Sequence, residues 1–146
     1  PRGMSSAASD VYKRQIEHIL HTITVLGFNY IFPEKYSYTN ACSDVYLAMQ
    51  EAISEGYYDV SSYDDIKNDS EIYGRIIVQE FAYWMIITGW DIKKDLLPNS
   101  APEWTINSAT EMQSLLPLSH ALYEETVKDI LKNPTSEFLL NLFPRS

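Results

Sequence analysis

The sequence predicts an all-α domain of about five helices packed around one buried helix at residues 69–90. Three observations predict it. Apolar residues recur at three- and four-residue spacing over most of the chain. Helix-start and helix-stop residues bracket those runs. Alternating runs of the strand type are scarce, and there are no repeats or heptads.

The first periodic run is 16–26, IEHILHTITVL. At about 100° per residue, Ile16, Ile19, Leu20, Ile23 and Leu26 gather on one side, and Gly27 reads as a left-handed stop. Residues 28–38 are aromatic, contain Pro33 and read as a packed loop. Residues 40–55 place Val45, Tyr46, Met49, Ala52 and Ile53 at helical spacing, with Gly56 as the stop. Cys42 lies in that run and reads as a small buried residue. Residues 57–67 are polar and tyrosine-rich, a connection. At 69–90, Asn68 and Asp69 supply capping oxygens and Glu71 suits the positive helix start. The run is apolar over most of its circumference, which makes it the central helix. Residues 91–105 hold Pro98 and Pro102 and read as a long loop pinned by Trp104. Ser108 and Glu111 form a capping box before a short helix. Pro117 separates that helix from one at 119–132, which ends at Asn133 and Pro134. Phe138 to Phe143 form an apolar tail, read as a short helix or extended lid.

The balance of charge excludes some partners. The chain has 146 residues and a formal net charge of −9. Such a surface repels phosphate backbones and anionic membranes, so nucleic acid is not an expected partner. No run of eighteen apolar residues exists, so no membrane span is expected. A single cysteine excludes an internal disulfide and cysteine-based zinc knuckles.

Two features point to chemistry. On a wheel with Arg75 at zero, Glu71, Arg75, Gln79 and Ala82 form the solvent stripe of the central helix. Glu80 falls near 140°, between Ile76, Ile87, Tyr73 and Trp84, where a carboxylate needs a partner, a proton or a metal. In the first helix, Glu17 and His21 are four residues apart and share a face. Together with Glu80 they make a candidate metal set of one histidine and two carboxylates, suited to zinc, manganese or iron, with zinc the first choice. Tyr83 is a candidate catalytic group, as donor to a bound oxyanion. Glu51 is the next candidate ligand, and His120 an exposed residue at a helix start. The alternative for Glu80 is a structural carboxylate satisfied by tyrosine hydroxyls or loop amides, with Glu17 and His21 an exposed pair. The function is then a non-catalytic interaction or structural module.

Resemblances add three expectations. Residues 5–15, SSAASDVYKRQ, resemble a transposase sequencing adapter translated in one frame. Residues 1–15 are accordingly expected to be non-native, leaving 16–146 as a single domain that lacks its natural N-terminal region. Setting aside Arg2, Lys13, Arg14 and Asp10 leaves a net charge of −11. The EHxxH string at 17–21 resembles the zinc helix of gluzincin-type peptidases, with Glu17 at the first ligand, His18 at the base and His21 at the second ligand. The resemblance implies Glu80 as the third ligand, from a later helix. The strings EHILHTIT, QEFAYW and EWTI resemble a group of environmental microbial proteins that pair a Glu-x-x-x-His helix with a Glu-aromatic helix. A weaker expectation is an acidic helical extension that exposes an apolar patch toward the lost region.

Overall fold

A computed structural model describes residues 6–97, 101–133 and 135, with side chains from Val11 onward except Tyr12 and Asp95. The apolar tail expected at 138–143 lies outside the described residues. Among the described residues there is no strand, only one antiparallel bridge between Tyr58 and Trp104. The chain is all-α.

Helix α1 (Ser6–Thr22) runs across the expected junction at 15/16 without a break, and the first residue of the described core is Ile16. It passes into a π-helical turn, Ile23–Phe28, and then into α2 (Asn29–Ile31) and α3 (Pro33–Tyr36). Gly27 is therefore no stop, and 28–38 is two short helices instead of a loop. The buried residues are Ile16, Leu20, Thr24 and Phe28, while Ile19 and Leu26 are exposed. A four-residue step drifts by about 40° on an α-helix, and a wider π turn takes up that drift. The Thr24 hydroxyl donates to the Leu20 carbonyl at 2.9 Å, competing with the helix's own amides at the point of widening. The same device recurs later, where Thr126 donates to Leu122 O inside the π-helical segment Tyr123–Val127.

Helix α4 (Asp44–Ser54) starts at Ser43, whose hydroxyl accepts from Tyr46 N, and stops at Gly56 with φ +77°. Tyr57 N reaches Ala52 O and Gly56 N reaches Ile53 O, the paired bonds of a left-handed helix end. Cys42 is exposed, a correction. Asn40 Oδ1 accepts from Cys42 N and holds it in a turn outside the helix.

Helix α5 (Ser70–Gly89) matches the expected central run. Asp69 Oδ1 accepts from Ile72 N, and ten of the helix's residues from Ile77 to Thr88 are buried. It packs against α1, α4, α6 (Lys93–Leu96), α7 (Ala109–Leu115) and α8 (Pro117–Leu122). Gly89 is the point of closest approach, since a methyl group there would overlap the Tyr123 ring. The helix ends with Asp91 at φ +57°, and its carboxylate accepts from Ala109 N at 2.7 Å. Glycine is the usual residue at such a position. Here the aspartate side chain also caps the start of α7. Ser108 accepts from Glu111 N as expected, but Glu111 bonds back to Asn107 N, one residue before the box position. Helix α8 and its π turn are over by Val127, shorter than the expected 119–132.

Trp104 does pin the 91–105 segment. It is fully buried against Tyr58 and Phe81, and its indole N–H donates to Thr88 Oγ1 at 2.9 Å. Beside it, buried Lys93 donates to Trp104 O, Ile106 O and Asn107 Oδ1 at 2.7, 2.9 and 3.1 Å. Burial pulls the Lys93 pKa down.

Candidate metal centre

Helices α1 and α5 pack side by side, and their facing side chains build the site. Glu17, His21 and Glu80 converge there: one ligand atom from each lies within 4.8 Å of the other two. A tetrahedral ion with bonds of about 2.1 Å sets ligand atoms about 3.4 Å apart. Rotation of the carboxylates about their terminal torsions, which are soft, covers the difference. The cluster can hold a metal.

The wheel placed Glu80 in the middle of the buried face of α5. The structure places it at the edge of that face, with its side chain 18% exposed and the His21 side chain 11% exposed. Ala82, expected in the solvent stripe, is buried. Because α5 is apolar nearly all round, its wheel has no strong polar side to fix its rotation. The docking of α1 decides instead. Glu17 and His21 likewise meet α5 through Glu80, and are not the exposed pair of the alternative reading.

His21 Nε2 lies 3.4 Å from Glu80 Oε1, yet this buried nitrogen has no partner in hydrogen-bond geometry. Buried polar atoms without partners are rare, and a missing ion is one accepted reason. The other ring nitrogen, Nδ1, lies 2.9 Å from Gln79 Nε2. No tyrosine hydroxyl or loop amide bonds Glu80 among the described residues. The orphaned nitrogen and the two carboxylates fit a divalent cation in charge and donor type.

The site opens into a cleft of about 450 Å³ lined by Glu17, His18, His21, Thr22, Val25, Leu26, Gln79 and Glu80. His18 is exposed on its rim. Tyr83 stands behind the cleft, 4% exposed, with its ring edge-on to His21 at 6.0 Å. Burial, then the charges of Glu17 and Glu80, push the Tyr83 pKa up, so its hydroxyl stays a donor. Gln79 is the site residue that sequence reading missed, because the wheel assigned it to solvent.

Two other candidates have structural work. Glu51 Oε2 accepts from Leu118 N at 3.1 Å, capping α8 from α4. Half-buried His120 lies 3.7 Å from Glu124 Oε1, one turn on. Deeper in, the Tyr63 hydroxyl donates to Glu103 Oε1 at 2.8 Å. Burial raises the Glu103 pKa, the bond from Tyr63 holds it back, and the Glu80 and Asp59 charges add to the rise. The folded pKa thus exceeds the unfolded one. The folded state holds more protons in the window just above 4.5, so stability falls as pH rises through it. Glu103→Gln should raise the melting temperature at pH 7 and leave it unchanged at pH 4. Scanning calorimetry at both pH values measures this, and equal effects at the two would refute it.

Comparison of the chain with protein-family models, with curated proteins and with solved structures finds no match. Among the described residues no helix is long and apolar enough to cross a membrane.

Proposed function

We propose that this chain is a metal-binding helical domain that holds a divalent cation, zinc first, between α1 and α5 through Glu17, His21 and Glu80. The observation that carries the reading is the convergence of Glu80, from α5, on the Glu17 and His21 pair of α1, with a ligand atom of each within 4.8 Å of the others. An open cleft beside the ligands leaves room for a substrate or water at the cation, the pattern of catalytic more than structural sites. A bound zinc would supply Lewis-acid polarisation and an acidified water. The resemblance to the gluzincin helix extends the proposal to hydrolysis, with His18 on the rim as base and Tyr83 as donor to an oxyanion.

A second reading, an interaction or structural module of a larger protein, is favoured by one observation. Ile19, Leu26, Tyr30 and Ile31 are exposed along α1 and the turns after it.

One experiment separates the two. Metal content by mass spectrometry, after loading with zinc, manganese or iron(II) and desalting, should give one ion per chain. Loss of an outer-shell partner alone costs about 10–100-fold in affinity. Glu80→Ala and His21→Ala remove ligands and should each cost at least about a hundredfold. No retained metal, or affinity unchanged in both variants, would leave the module reading standing.

A further inference from the structure

We propose that Gln79 is a positioning residue that sets the tautomer of His21, and so decides whether Nε2 is offered to a cation. The inference rests on the metal-binding reading above and deepens it.

The Gln79 side-chain amide meets His21 Nδ1 at 2.9 Å across the α1–α5 interface. A primary amide carries two N–H donors at one end of a flat group and a carbonyl acceptor at the other. With the nitrogen toward the ring, the amide donates and Nδ1 must accept. The ring proton then sits on Nε2, facing Glu80 at 3.4 Å. With the carbonyl toward the ring, Nδ1–H donates and Nε2 keeps a free lone pair. Only this second arrangement can ligate a metal.

A half-turn of the amide converts one into the other. Oxygen and NH₂ are close in size, so the turn needs no repacking. In the first arrangement Nε2 is poorly served, because it is buried and lacks hydrogen-bond geometry to Glu80. That leaves the two arrangements close enough in free energy for a cation between Glu17 and Glu80 to select the second. Gln79 touches no cation in either. It acts through His21.

The test reads the tautomer directly. Long-range ¹H–¹⁵N correlation spectra distinguish Nδ1–H from Nε2–H rings, and the chain has 3 histidines to assign. Metal-free protein should show the His21 proton on Nε2. Gln79→Glu, whose carboxylate only accepts, should move it to Nδ1 and tighten zinc binding by about 10–100-fold. Gln79→Leu should weaken zinc binding by a similar factor, which added negative charge in the glutamate variant cannot explain. An unmoved tautomer in Gln79→Glu would overturn the inference, as would a zinc affinity unchanged in both variants. If zinc fails to bind the unaltered chain, the metal reading falls. The tautomer of the metal-free variants then decides the inference alone.

Discussion

Trp104→Ala should lower the unfolding free energy by about 3–5 kcal/mol, the range for deleting a fully buried large aromatic. The upper end is expected for two reasons. The indole N–H is the donor to Thr88 Oγ1, itself fully buried in the last turn of α5. Its loss leaves that hydroxyl without its donor and adds to the cavity term. The ring also lies edge-on to Tyr58 and Phe81, so the cavity opens where α5 meets both loops. Urea unfolding followed by far-UV circular dichroism measures the change. Trp104→Phe, which keeps most of the volume and loses the N–H, should cost about half as much. A loss below about 1 kcal/mol for the alanine variant would mean that the 91–105 segment is not fixed by this side chain.

Lys93→Met should cost about 2–4 kcal/mol. Methionine keeps the apolar stem and removes the ammonium. The ammonium spends its three protons on Trp104 O, Ile106 O and Asn107 Oδ1. Buried acceptors stripped of a charged donor cost about 1–3 kcal/mol each before relaxation. Against this, the methionine variant is spared the cost of burying a charge among neutral groups, which caps the net loss. If Lys93→Met were as stable as the parent chain, the cage would be a neutral exchange of one solvation for another. The two substitutions share the Trp104 carbonyl, so the double variant should fall short of the sum of the singles.

The fold class was legible because it rests on spacing and caps, which are local. Asp69, Ser108 and Gly56 act at the positions that their chemistry predicts. The candidate ligands were legible for the same reason. A four-residue spacing puts Glu17 and His21 on one face whatever the helix packs against, and a lone carboxylate in the apolar run of α5 stands out.

What the sequence hid are rotations and junctions. The side of α1 that faces inward depends on a π turn, and no single residue announces one. Gly27 looked like a stop but lies inside the widened turn. Asp91 takes a left-handed conformation that glycine usually fills, because its carboxylate is needed 18 residues later at Ala109. Gln79 is polar and sits one residue from Glu80, so a wheel alone sends it to solvent. Its partner comes from 58 residues away.

Helix α1 packs chiefly against α5 and the π turn that follows it. An element held along one side is the first to detach in native-state breathing. Two of the three candidate ligands ride on it, and the third stays with the core. A cation that grips all three binds only the docked form, and adds RT ln(1 + [M]/Kd) to the free energy of detachment. Amide protons around 17–21 would then exchange with solvent more slowly as the cation concentration rises, while those in the middle of α5 keep their rate. The occupancy of the site would be recorded in the exchange clock of a single helix.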